Sequence, residues 1–208
     1  MTFEGWTIFA LFWIVFVTTP GPNAVNCISN GMAFGFWRSL PAVAAILTQA
    51  GLFLALSALG VTALLTASET VFQFAKYLGA GFLVFLGIRG WLTAKTPPKA
   101  DKHPARGMYW RALAIATINP KSVAGYLAAF SQFVQPDVPI GQQMWLIVPT
   151  ALTLTLMSYC TYTALGAGLG RAALGAVFNV WFRRFMAGCF VVYGILLGSA
   201  ATPTRAGA

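Results

Sequence analysis

Apolar residues along this chain fall into six long runs, at about 6–36, 39–66, 70–92, 108–134, 143–169 and 179–200, separated by short polar or basic segments. A bilayer crossing takes ~20 apolar residues. The pattern therefore predicts an all-α integral membrane protein with six transmembrane helices. Two of the runs are interrupted: Thr18-Thr19-Pro20-Gly21-Pro22-Asn23 cuts the first, and Ile118-Asn119-Pro120-Lys121-Ser122 cuts the fourth. Proline lacks a backbone donor and clashes with the preceding turn, so a regular helix cannot pass through. About 14 residues lie on either side of the first break, and at about 1.5 Å per residue each half measures near 20 Å. Helices 1 and 4 are thus expected to be broken at mid-membrane, where freed polar groups survive only when buried in protein or lining a cavity.

Each interruption opens one of two similar halves. Ala80-Gly81-Phe82-Leu83-Val84-Phe85-Leu86-Gly87 in span 3 matches Ala187-Gly188-Cys189-Phe190-Val191-Val192-Tyr193-Gly194 in span 6 at an offset of 107, and Lys76 aligns with Arg183. Ala58-Leu59-Gly60 in span 2 matches Ala164-Leu165-Gly166 in span 5 at an offset of 106, while Pro22 to Pro120 gives 98. A longer connection around Gln135-Pro136-Asp137 accounts for the difference. Three spans per half is an odd number, so the second half enters from the opposite side and the repeat is inverted. Residues 1–208 read as one membrane domain, with repeat one at about 1–94, a basic loop at about 95–107 and repeat two at about 108–208. The glycines of spans 3 and 6 are expected to serve close helix packing.

Composition agrees with the pattern. The chain is 58% hydrophobic and 8% charged, with a mean hydropathy of +0.74, where a soluble domain has about a quarter of its residues charged. A net charge of +9 could suggest nucleic acid, but that partner needs basic residues clustered among aromatics on a soluble face. Here they gather in short loops, and no nucleic-acid partner is expected. Lys95, Lys99, Lys102 and Arg106, flanked by Arg89 and Arg111, mark the central loop as cytoplasmic. Six spans then place Arg38, Arg171, Arg183 and Arg184 inside as well, and Glu4, Glu69, Asp137, Lys76 and Arg205 outside. The expected topology is N-out and C-out. Six tryptophans, Trp6, Trp37, Trp91, Trp110, Trp145 and Trp181, fall at span ends as an interfacial belt. Only Trp13 lies within a span. The N-terminus has no basic region or small-residue cleavage site before the break, so no removed signal peptide is expected. Cys27, Cys160 and Cys189 lie in apolar runs and read as free thiols. His103 reads as a solvated loop residue, and neither a metal nor a cofactor is expected.

Asn119 followed by Pro120 reads as a helix N-cap with proline in the first turn, and Asn23 after Pro22 can cap the second half of span 1. By inverted symmetry two half-helix N-termini approach one another at mid-depth, presenting free N–H groups and partial positive charge to an anionic group. Lys121 sharpens this, because a cation in a first turn is opposed by the dipole and costly in hydrocarbon. No Asp or Glu lies deep in a span, so the natural counter-charge is a ligand carboxylate. The ammonium of an amino acid would find acceptors in the carbonyls of Thr18, Thr19 and Ile118 and the side chains of Asn23 and Asn26. The candidate substrate site is Thr19, Pro20, Gly21, Pro22, Asn23, Asn26, Asn119, Pro120 and Lys121. Gln49, Tyr126 and Ser158, with Thr48 and Thr161, are candidates for the cavity wall, although such residues more often bond a neighbouring helix. The competing reading makes the breaks packing kinks and lets Lys121 snorkel to an interface.

At these residues the chain resembles the amino-acid exporters of the lysine exporter and homoserine/threonine resistance (LysE/RhtB) family. The resemblance runs through Pro20-Gly21-Pro22-Asn23, Gly31, Gly35, Ala58-Leu59-Gly60, Lys76 to Gly87 and Asn119-Pro120-Lys121. It implies a bacterial inner-membrane exporter and not an enzyme, a dimer, and outward movement of amino acids or close derivatives in exchange for protons. With no deep carboxylate, Lys121 is left as the candidate proton carrier. The absence of a buried acid favours neutral substrates, such as threonine, homoserine or a branched-chain amino acid, over dibasic ones. A thiol–disulfide electron carrier would need matching cysteines in both halves, and span 4 has none. A metal-ion exporter would need His or Asp in its helices. A non-transporting scaffold remains as the other class, and would tolerate replacement of Asn23 or Lys121.

Overall fold

A computed structural model describes residues 2–67, 69–96, 104–135 and 138–199. Among the described residues the chain is helical, without strands: α1 (Phe3–Thr18), α2 (Pro22–Phe34), α3 (Phe36–Ala67), α4 (Glu69–Leu92), α5 (Met108–Ile118), α6 (Pro120–Phe133), α7 (Ile140–Leu169), α8 (Arg171–Val177) and α9 (Val180–Ser199). Both breaks fall where proline places them. Pro41 and Pro149, 108 residues apart, are instead carried inside α3 and α7. Helix α8 is an addition to the expected pattern, set off by Gly170 with φ at 56°. Gly35, with φ at 78°, separates α2 from α3. Lys99, Asp101, Lys102, His103, Asp137 and Arg205 lie outside the described residues, as do the side chains of Lys76 and Glu69.

Among the described residues three helices are each long and apolar enough to cross a bilayer: α3 over Phe36–Gly60, α7 and α9. The pair α1 and α2, bent by 57° at its break, passes as a fourth. Trp37, Trp110, Trp145 and Trp181 are strongly exposed near helix ends. Trp13 is instead fully buried and donates from Nε1 to the Ala151 carbonyl and to Thr155 Oγ1 on α7, at 3.0 and 3.1 Å.

Helices α1 and α6 run antiparallel, bridged by aromatic rings. Phe9 and Phe12 meet Phe133, Trp13 and Phe16 meet Tyr126, and Phe53 of α3 closes on Tyr126 from the side. This block fills the molecule from the breaks to the end where α1 begins. At the opposite end a second core packs Cys27 and Ile28 of α2 with Val43 and Ile46 of α3 and with Tyr159 and Tyr162 of α7.

The α4–α9 crossing is reciprocal. A Cβ at Gly87 would lie 2.7 Å from the Ala187 carbonyl oxygen and 2.6 Å from the Val191 side chain. One at Gly194 would lie 2.8 Å from the Ala80 carbonyl oxygen and 2.7 Å from the Val84 side chain. Gly81 and Gly188, the other matched pair, face open space. Gly87→Ala and Gly194→Ala are therefore expected to lower the melting temperature in detergent by similar amounts, at the ~1–3 kcal/mol of an overpacked contact. Gly81→Ala and Gly188→Ala should leave it unchanged, and a thermal scan of the four variants checks this.

Candidate functional site

The end of α1 leaves carbonyls that α2 cannot reach. A helix terminus has four such orphans, and inside a membrane each needs a partner. Here three of them, at Val17, Thr18 and Thr19, are met from other helices. Ser158 Oγ donates to the Val17 carbonyl at 3.1 Å, the Tyr162 hydroxyl donates to the Thr18 carbonyl, and Lys121 Nζ donates to the Thr19 carbonyl at 2.6 Å. The hydroxyls of Thr18 and Thr19 turn back onto Ile14 and Val15 of their own helix. The partners on α7 lie at helical spacing on one face, Ala151, Thr155, Ser158 and Tyr162.

Two helices begin on the far side of the breaks. At α6, Asn119 caps as expected, its Oδ1 accepting from the Lys121 backbone N–H at 3.1 Å with Pro120 at the first position. At α2 the expectation needs correction: Gly21, in extended conformation, is the N-cap and makes no side-chain cap bond. Pro22 takes the first helical position, so Asn23 falls one place inside the helix, where it is buried and its amide faces Tyr159.

The structure brings the two breaks together. A Cβ on Gly21 would be in van der Waals contact with Lys121 Cδ at 3.7 Å. Thr19, Pro20, Gly21, Pro22, Asn119 and Lys121 line one cavity of about 550 Å³. The Lys121 ammonium sits against the carbonyl end of α1, where that helix's dipole favours a cation, and 5.1 Å above the Phe16 ring. A protein carbonyl thus already takes part of the counter-charge role assigned to a ligand, and Thr18 and Thr19 have committed the carbonyls proposed for a substrate ammonium.

The remaining wall comes from residues that the sequence reading did not select. Leu86, Arg89, Gly90, Thr93 and Thr96 line the cavity from α4 and its C-terminal turn, and Phe178, Arg183, Ala187 and Phe190 from the α8–α9 region. The cavity leads from the breaks to the end where Arg89, Thr93 and Thr96 are exposed. Arg89 and Arg183 were legible only as topology markers, and Tyr162 only as the residue four beyond Ser158 on the same helical face.

Other selected residues lie elsewhere. Ser158 bonds α1 as described. Tyr126 is held in the aromatic block. Gln49 is 1% exposed and its Nε2 has no hydrogen-bond partner among the described residues. None of the three is on the wall of this cavity. Thr48 accepts from the Tyr109 hydroxyl, and Thr161 donates to the Met157 carbonyl. Asn26 accepts from Asn30. The side chain of Pro120 lies outside the described residues. Cys27, Cys160 and Cys189 are free.

The family model described as "LysE type translocator" matches residues 14–201, which include both breaks and the whole cavity wall. The chain belongs to the LysE type translocator family. This translocator is 31% identical to an "Uncharacterized membrane protein" of Vibrio cholerae, over 96% of this chain and 99% of that one. It is 27% identical to a "Homoserine/homoserine lactone efflux protein" of Salmonella typhimurium, over 96% and 98% of the two chains. A "Leucine efflux protein" of Klebsiella pneumoniae is 28% identical, over 71% of this chain and 70% of that one. No solved structure matched the translocator. Family membership makes the chain a translocator by type, and the described residues include helices long and apolar enough to cross a membrane.

Proposed function

We propose that this chain exports neutral amino acids or close derivatives, of the threonine, homoserine or branched-chain type, from the cytoplasm across a bacterial inner membrane in exchange for protons. The observation that carries the reading is the meeting of the two helix breaks at one cavity, with the Lys121 ammonium at its buried end. A free carboxylate binds there between an ammonium and the N-terminus of α6. An ammonium carries three donors, and Thr19 is the one acceptor that Nζ has among the described residues. The wall has three cations, Lys121, Arg89 and Arg183, and no acid among the described residues, so a second positive charge on a substrate would go unpaired. That favours neutral side chains, as do the printed names of the homoserine and leucine efflux relatives. Lys121 is the ionisable group placed to exchange a proton as substrate leaves.

Six spans in two inverted repeats provide the frame. The reciprocal α4–α9 crossing at an offset of 107 residues, and Pro41 and Pro149 at 108, support it. With the basic loop cytoplasmic, the cavity is open to the cytoplasm and the aromatic block between α1 and α6 closes the outer side.

Counterflow into proteoliposomes preloaded with one amino acid tests the reading. Labelled leucine, threonine or homoserine should exchange, while lysine and the methyl esters of the neutral amino acids should not, since an ester offers no carboxylate to Lys121. An imposed pH gradient should drive net movement. Equal exchange of leucine and its methyl ester would remove the carboxylate site from the account.

A further inference from the structure

The cavity has a cation at its buried end and two more at its exposed end, and the second pair has no part in the break site. Arg183 is held: its Nη1 donates to the Ala94 and Thr96 carbonyls at 2.7 and 2.8 Å, which fixes the guanidinium at the C-terminal end of α4. Its plane also approaches the Phe178 ring, 5.9 Å away. Arg89 is exposed on the last turn of α4 and lines the same cavity. At about 30 Å³ per liquid water, the 550 Å³ here equals about 18 waters, room for an amino acid with part of its water. A substrate entering from this end therefore meets the arginines while hydrated, before its carboxylate can reach Lys121.

We propose that Arg89, with Arg183 pinned on the same cavity wall, forms a recruiting site for substrate carboxylate at the cavity mouth, separate from the site at the breaks. This rests on the export reading above. One sign of charge lining a cleft with low-dielectric walls focuses its field and raises the local concentration of oppositely charged ligand. Arg183 supplies fixed charge, since its hydrogen bonds to the α4 end immobilise it. Arg89 supplies the donors that can follow a carboxylate inward, in the fork geometry that binds both oxygens. Exposure makes this attraction sensitive to salt.

The test is initial efflux from proteoliposomes loaded with graded concentrations of labelled leucine, at low and high potassium chloride, for native protein, Arg89→Gln, Arg89→Lys and Arg38→Gln. Arg38 is exposed at the start of α3 and is not on the cavity wall, so it controls for general surface charge. Arg89→Gln should raise the half-saturating concentration about fivefold at low salt, with a smaller fall in maximal rate, and flatten the salt dependence. Arg89→Lys should restore much of the affinity, and Arg38→Gln should behave as native. If Arg89→Gln keeps the native half-saturating concentration and salt response, the recruiting site is wrong and the export reading stands. If Arg38→Gln shifts as much as Arg89→Gln, the effect is surface potential and the site is again wrong. If native protein moves no amino acid, both readings fall together.

Discussion

Gly166→Ala is expected to leave little folded protein after extraction into detergent, while Gly168→Ala, two residues on, should be recovered at native yield with an unchanged melting temperature. The difference lies in the α2–α7 crossing. A Cβ at Gly166 would fall on the Ile28 carbonyl, and one at Gly31 would fall on the Thr163 carbonyl, whereas Gly168 faces open space. Overpacking typically costs ~1–3 kcal/mol when side chains can give way. Here the obstacle is helix backbone on both sides, so α2 and α7 must separate as units. Helix α7 also carries Ser158, Tyr162 and the acceptors of Trp13, so separation strips partners from the α1 terminus. A cost at or above the top of that range is a large share of the ~5–15 kcal/mol that holds a fold together. Size-exclusion recovery and a thermal scan of the two variants measure it, and equal behaviour would mean that the crossing is looser than described.

The positions of the breaks were legible because their signals are local: Pro20-Gly21-Pro22 and Asn119-Pro120 combine proline with a glycine or a capping residue next to it in sequence. Pro41 and Pro149 show the limit of proline alone, since α3 and α7 continue through them. The cap of α6 was legible because Asn119 directly precedes its proline. The misassignment of Asn23 came from reading its order the other way: a cap precedes the first helical residue, so the residue before Pro22, Gly21, holds that place. What lay beyond local rules was which distant side chains would satisfy the freed carbonyls. Ser158 and Tyr162 reach α1 across 141 and 144 residues of sequence, and only the packing of α7 along α1 brings them there. The cavity wall was hidden for the same reason. Arg89 and Arg183 look like interfacial anchors in one dimension, and become cavity residues once the ends of α4 and α9 sit beside the breaks.

Lys121→Met is expected to abolish export without unfolding the protein. At the mid-membrane depth expected for the breaks, a cation costs about 2.5–3.5 kcal/mol on the insertion scale. Against that stand one interhelical hydrogen bond, worth ~0.6 kcal/mol on average and ~1.7 at most, and a ring contact worth up to ~2 kcal/mol when desolvated. Its own helix start opposes the charge while the end of α1 favours it, so the two dipole effects offset. The Thr19 carbonyl freed by the change borders the cavity, where water can take the place of Nζ, and the sum is close to zero. Methionine keeps the length and apolar stem of the side chain, and stability should stay near native or rise. Structure alone therefore gives no reason for a lysine here, whereas carboxylate binding does.

The most direct measurement is efflux of labelled leucine from proteoliposomes holding equal amounts of native protein, Lys121→Met or Lys121→Arg, with melting temperatures taken on the same preparations. The account predicts that Lys121→Met loses export by at least about tenfold, equivalent to ~1.4 kcal/mol or more of lost interaction, while melting within a few degrees of native. Lys121→Arg, which keeps the charge, should retain measurable export. Native-rate efflux by a folded Lys121→Met would contradict the account, because the charge where the two breaks meet would then have no part in moving substrate.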